Sequence, residues 1–178
     1  MDTRIKKLKK LAHELVIVDT VEIPFRSYVL DSCAMNYCGR YNKTWQCPPA
    51  VGTLEELKKS CLSYEKAVVF TTCHSLEDSF DIEGMEKGRI AHEKITDQAV
   101  EIFAGEEIKA LSAEGCGLCE KCTYPTAPCR FPQKARSSVE ANGISVVELA
   151  QNCNINYKNG ENTVTYFSLI LYKKKSFL

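Results

Sequence analysis

The stretch Cys116-Gly117-Leu118-Cys119-Glu120-Lys121-Cys122, closed by Pro128-Cys129-Arg130, carries four thiols within a short loop. Three of these thiols recur at every third position, a spacing that apolar packing does not require. Thiolates this close together can converge on one iron–sulfur cluster or on one zinc ion. The stretch therefore predicts a metal centre.

A second group of thiols, Cys33, Cys38 and Cys47, lies in a region rich in asparagine and glycine, which suit turns and positive φ. Pro48 and Pro49 follow directly and fix the backbone beside Cys47. We therefore include these three cysteines among the candidate metal ligands, with the four of the stretch above.

The composition excludes several classes of protein. The 178 residues suffice for one domain with a core, and 44% hydrophobic and 26% charged residues are ordinary values for a globular protein. A formal net charge of zero does not indicate binding to nucleic acid or to an anionic membrane. No apolar run approaches the roughly 18–20 residues of a membrane span, and the N-terminal residues lack the apolar stretch of a secretory signal. We therefore expect a cytoplasmic protein.

Ten cysteines in a reducing compartment favour metal binding or redox chemistry over disulfides. Cys61, Cys73 and Cys153 lie apart from the two groups, and we interpret each of them as a buried free thiol. No phosphate-binding loop, dinucleotide motif or serine hydrolase motif is present, so the catalytic residues, if the protein is an enzyme, are unknown.

Hydrophobic periodicity predicts helices at 3–15, 53–63 and 84–104, and shorter helical turns after Ser137 and Ser145. Runs rich in β-branched residues predict strands at 15–23, 26–30, 66–73, 108–111 and 162–173. The order strand, helix, strand between 66 and 113 predicts a right-handed crossover between parallel strands. We expect one α+β domain over residues 1–178, with a mixed β-sheet, helices packed on it and two cysteine-rich metal-binding loops.

The spacing of Cys116, Cys119 and Cys122 bears on the identity of the metal. The pattern C-x2-C-x2-C is close to the bacterial ferredoxin run, in which neighbouring thiolates of one loop bind a [4Fe–4S] cluster. Structural zinc sites more often use two separated C-x2-C pairs. We therefore favour one or two [4Fe–4S] clusters, with Zn2+ as the alternative. The cations Lys121, Arg130, Lys134 and Arg136 can offset the negative charge of such a cluster.

The spacing leaves the role of Cys129 open. It can complete a site with Cys116, Cys119 and Cys122, as the nearest thiol. In two-cluster ferredoxins, however, the last cysteine of the run binds the other cluster, so Cys129 can instead join Cys33, Cys38 and Cys47. One site would then have three thiolates and an iron open to substrate.

The residues also resemble a known family. The segment from Cys33 to Pro49, with Tyr41, Lys43 and Trp45, resembles the first motif of the cysteine-rich predicted metal-binding proteins called domain of unknown function 2284. The segment from Cys116 to Ile144 looks like the second motif of that family. The resemblance implies metal binding of the iron–sulfur kind and no established reaction.

Two positions depart from the family pattern. Asn42 stands where glycine is expected, and Ser137 stands where proline is expected. Asparagine also tolerates positive φ, and a serine can cap a helix, so neither departure affects a ligand.

Three functions are compatible with these residues. The first is a non-catalytic iron–sulfur protein that exchanges electrons with a protein partner. The second is an enzyme that binds substrate at an open cluster iron. The third is a zinc-stabilised binding or regulatory module. We expect no nucleic-acid partner and no membrane partner for any of them.

Overall fold

A four-stranded antiparallel sheet forms the centre of the fold in the computed structural model, which describes residues 2–173. Its strands lie in the order β1-β2-β4-β3, with bounds β1 Leu15–Asp19, β2 Lys66–Ser75, β3 Ile108–Leu111 and β4 Thr163–Tyr172. The helices that cover the sheet are α1 Thr3–Lys9, α2 Ser27–Ala34, α3 Leu54–Leu62, α4 Ile82–Ile102 and α5 Val146–Cys153. Two 3-10 turns, Thr20–Glu22 and Glu140–Asn142, complete the regular structure.

The two central strands are buried on both faces of the sheet. Successive side chains of a strand point to opposite faces, so Val69 packs in one hydrophobic cluster while Val68 and Phe70 pack in another. The first cluster includes residues of α3 and α5, and the second includes residues of α1 and α4. The sheet is therefore the middle of three layers.

The α+β architecture is the one that the sequence predicts, but the strand pairing differs from the expected mixed sheet. Both β2 and β3 are antiparallel to β4, so they run in the same direction, as the strand–helix–strand order indicates. They are not neighbours, however, because β4 lies between them. Sequence order does not reveal this insertion, since the separating strand comes last in the chain.

Three predicted elements were wrong or too long. The strand predicted at 15–23 ends at Asp19, because the 3-10 turn Thr20–Glu22 follows it. Residues 26–30 form the start of helix α2 instead of a strand, because this segment packs on the turn Glu140–Asn142 and Tyr28 donates a hydrogen bond to Ser145 Oγ at 2.8 Å. Helix α1 ends at Lys9, well before residue 15. The predicted capping box of Thr53 and Glu56 is present at the start of α3. No helix within residues 2–173 is long and apolar enough to cross a membrane.

Buried polar side chains between α4 and the sheet form a hydrogen-bonded chain around His92, which is fully buried. Its Nδ1 lies 2.8 Å from Thr72 Oγ1, and its Nε2 lies 2.8 Å from Ser168 Oγ. Thr72 Oγ1 also lies 2.8 Å from Nε2 of the half-buried His74. Burial, with a smaller effect of His74, lowers the pKa of His92 from its ordinary 6.5 to about 4.

Acid should therefore destabilise the fold through His92. Between pH 6.5 and about 4 the unfolded chain binds more protons than the folded chain, so stability decreases as the pH falls through this window. The slope should reach up to about 1.4 kcal/mol per pH unit. Urea unfolding across this range should show a smaller slope for His92→Gln. The exposed His13→Gln should keep the wild-type slope, and equal slopes in all three proteins would contradict the prediction.

Candidate metal centre

The seven clustered cysteines belong to two loops and to the end of one helix. We call residues 35–53 the first loop and residues 112–136 the second loop. Cys33 lies in the last turn of α2, Cys38 and Cys47 lie in the first loop, and the remaining four lie in the second. The second loop leaves the end of β3 and is closed at its base, because the Ser112 N–H donates to Ser137 O at 3.1 Å and Ser112 O accepts from Val139 N–H at 3.0 Å.

The two loops contact each other directly. The indole N–H of Trp45 donates to Ala127 O at 2.9 Å, and the Tyr124 hydroxyl donates to Asn42 Oδ1 at 2.9 Å. The rings of Trp45 and Tyr124 also meet edge to face, with centroids 4.9 Å apart. These contacts hold the first loop against the second, although the loops are far apart in sequence.

Arg40 joins the loops more deeply. Its guanidinium donates to Cys116 O at 2.8 Å and to a Glu114 carboxylate oxygen at 2.9 Å. The other oxygen of Glu114 pairs with Arg89 of α4. Arg40 therefore ties the first loop to the base of the second and, through Glu114, to helix α4.

The four thiols of the second loop line one cavity of about 390 Å³, which we call the second-loop cavity. The cations Arg40, Lys121 and Arg130 also line it, and so does Trp45. The half-buried thiols Cys116, Cys119, Cys122 and Cys129 all contribute to its wall. Of the two roles that the sequence left open for Cys129, the structure thus places this residue beside the other thiols of its own loop.

The other three thiols, Cys33, Cys38 and Cys47, line a separate first-loop cavity of about 490 Å³. Two carboxylates, Glu114 and Glu140, line it as well. The thiols differ in exposure, because Cys38 is exposed, Cys33 is half-buried and Cys47 is buried. This cavity therefore combines sulfur and oxygen donors, whereas sulfur donors dominate the other.

The two cavities adjoin at Gly115. A Cβ atom placed on this residue would lie 3.0 Å from Cys47 Sγ and 3.2 Å from Arg40 Cδ. Arg40 lines both cavities. Gly115 directly precedes Cys116 in the chain. The backbone at Gly115 therefore lies between Cys47 of the first-loop cavity and Cys116 of the second-loop cavity.

The pKa of a thiol is shifted in opposite directions in the two cavities. The pKa of Cys122 lies below its ordinary value, although burial acts to raise it. The lowering comes from hydrogen bonds with the backbone N–H groups of Tyr124, Trp45 and Thr123 and from the charge of Arg130. In the first-loop cavity, burial and then the charge of Glu140 raise the pKa of Cys33 to about 11. The surroundings of Cys122 thus favour its thiolate form.

The donor chemistry fits a thiolate-bound metal. Soft thiolates are the ligands of zinc and of iron–sulfur clusters, and each cavity has at least three of them. Within residues 2–173, no three cysteine, histidine or acidic side chains stand together as a preformed single-ion group.

The chain was then compared with known proteins. Residues 16–172 match the family model of the predicted metal-binding protein, domain of unknown function 2284. The chain belongs to this family. Searches of curated proteins and of solved structures found no match.

At one of the two positions that depart from the family pattern the expected local structure is present, and at the other it is not. Asn42 adopts a φ of +54°, so asparagine takes the left-handed conformation expected of glycine there. Ser137 does not cap a helix. Its hydroxyl accepts a hydrogen bond from Asn142 Nδ2 at 2.7 Å, and Ser138 Oγ instead accepts from Ala141 N–H at 3.0 Å.

Other candidates from the sequence lie elsewhere. Arg136 pairs with Asp97 of α4 at 2.5 Å and lines neither cavity. Cys61 and Cys153 are buried in the core, as predicted, whereas Cys73, which was also predicted to be buried, is only half-buried on β2. Two residues of the site were missed, namely Arg40 and Glu140. Both lie within the two segments that resemble the family motifs, but neither residue type at that spacing indicates a thiolate site.

The narrow gap at Gly115 leads to a prediction with an internal control. The Cβ that Gly115→Ala adds should displace Cys47 and Arg40, because both would lie closer to it than ordinary contacts allow. We expect a destabilisation of about 1–3 kcal/mol and a clear loss of bound metal. Gly117→Ala, whose Cβ would meet nothing within 4 Å, should leave both unchanged. Metal analysis and denaturant unfolding check this, and equal metal content in both variants would contradict it.

Proposed function

We propose that this protein is an iron–sulfur protein that exchanges electrons with a protein partner, with a [4Fe–4S] cluster held by Cys116, Cys119, Cys122 and Cys129. The observation that supports this most directly is that all four thiols line one cavity of about 390 Å³. A single Zn2+ needs only a point about 2.3 Å from each sulfur, whereas a cluster of eight atoms needs a cavity.

The surroundings of the cavity favour an anionic cluster. Arg40, Lys121 and Arg130 bring positive charge to its wall, and backbone N–H groups are directed at Cys122. Hydrogen bonds to sulfur and nearby cations stabilise the reduced, more negative form, and so they raise the reduction potential. When bound, the cluster would accept and release one electron at a time.

The rim of the second-loop cavity offers a surface for a redox partner. Leu118 and Phe131 line the cavity and are 48% and 45% exposed. They lie beside the exposed cations Lys121 and Arg130. An apolar contact surrounded by positive charge suits a small, transient encounter with an acidic electron-transfer protein.

A second candidate function rests on the first-loop cavity, which has only three thiols. A cluster held by Cys33, Cys38 and Cys47 would have an iron available to a substrate, as in an enzyme. A zinc-stabilised module is the third candidate, since zinc also prefers thiolates.

Anaerobic purification decides between iron and zinc. We expect iron and acid-labile sulfide in equal amounts, and a paramagnetic signal after reduction. Cys122→Ser should remove most of the iron and sulfide of one cluster, whereas the isolated Cys73→Ser should keep the wild-type content. A colourless protein that contains zinc and no sulfide would overturn the proposal.

Arg40 should set the reduction potential of the cluster in the second-loop cavity. Arg40→Gln removes a positive charge at the cavity wall, so the oxidised form is favoured and the potential should fall by on the order of tens of millivolts. Arg26→Gln is the matched control, because Arg26 also pairs with a glutamate, Glu148, but lines neither cavity. Redox titration followed by EPR measures both. Equal shifts in the two variants would contradict the assignment.

A further inference from the structure

We propose that Glu140 is the fourth ligand of a second metal site, formed with Cys33, Cys38 and Cys47. The site would hold a second iron–sulfur cluster by three thiolates and one carboxylate. This inference rests on the proposed function, and it identifies the residue that occupies the fourth position.

The location of Glu140 supports this role. It begins the 3-10 turn Glu140–Asn142, which packs on helix α2, and α2 carries Cys33 at its end. Glu140 lines the same cavity as the three thiols.

The turn that presents Glu140 is held firmly. Asn142 is fully buried, and its side-chain amide donates to Ser137 Oγ at 2.7 Å and to Ser138 O at 2.9 Å. Ser138 forms a bridge with Ser112 at the base of the second loop. Gly143 ends the turn with a φ of +71°, where a side chain would be strained. A ligand on such a turn is positioned before metal binds.

The two carboxylates of the first-loop cavity, Glu140 and Glu114, differ in their salt bridges. Glu114 pairs with Arg40 and Arg89, whereas no lysine or arginine within residues 2–173 forms a salt bridge with Glu140. Hydrogen bonds from Ser138 and from its own backbone N–H offset part of the cost of withdrawing the Glu140 carboxylate from water, and a cation would offset more of it. A metal ion in the first-loop cavity would supply that cation.

A mixed ligand set has a chemical consequence. Exchange of thiolate for a less electron-donating ligand raises the reduction potential of a cluster, as imidazole ligands do in other iron–sulfur proteins. The first-loop cluster would therefore have a higher potential than an all-thiolate cluster in the same cavity. Electrons that enter at the exposed second loop would then pass inward across Gly115, toward Cys47.

The test uses the full chain, purified without oxygen, and three variants. Glu140→Ala should lose about one iron per chain and show the EPR signal of a three-iron cluster in the oxidised protein. Glu140→Cys should retain the iron and lower the potential of that cluster. Glu161→Ala is the matched control, because Glu161 is an exposed carboxylate that lines neither cavity, and it should leave iron content and spectrum unchanged.

The outcomes separate this inference from the proposed function. Full iron content and an unchanged spectrum in Glu140→Ala would overturn the role of Glu140, and so would wild-type protein with a cluster in the second loop alone. Wild-type protein without iron and sulfide would overturn the proposed function itself. Circular dichroism checks that Glu140→Ala is folded, and Glu140→Cys tests the ligand position even if Glu140→Ala is not.

Discussion

The hydrogen-bonded ion pair of Arg40 with Glu114, together with the bond from Arg40 to Cys116 O, is the constraint on which the site depends. It joins residues that are more than seventy positions apart, and it does so at the boundary between the two thiol cavities. A planar guanidinium that donates to two separate acceptors fixes orientation as well as distance. Together with the contacts of Trp45 and Tyr124, this contact of Arg40 fixes the relative position of two cysteine loops that have little regular structure.

The sheet supplies the rigid base for these loops. Strands β2 and β4 are buried on both faces, and β3 pairs with β4 at the edge, where the second loop begins. The base of that loop is then closed through Ser112 and Ser138. Functional groups thus lie on irregular segments whose ends are held by the sheet and by turns packed on α2. This division is common, because a rigid framework can position loops whose sequence is free to serve chemistry.

The local sequence predicted correctly several structural features that depend only on neighbouring residues. The capping box of Thr53 and Glu56, the strand at 108–111 and the positive φ of Asn42 are all present, since each is set by a few adjacent side chains. Predictions from the local sequence were wrong where contacts with residues distant in the chain determine the local structure or the strand pairing. Residues 26–30 favour a strand by composition, yet packing against the turn Glu140–Asn142 makes them helical. The pairing of β4 between β2 and β3 depends in the same way on a segment at the other end of the chain.

The sequence by itself determined the family, the α+β class and the two groups of thiols, because spacing and periodicity are properties of the chain. Only the tertiary structure decided that Cys129 lines the cavity of its own loop and that the two cavities meet at Gly115. It also brought Arg40 and Glu140 to those cavities. The reason is physical: a ligand set is defined by distances in space, and these follow from loop docking that no local pattern encodes.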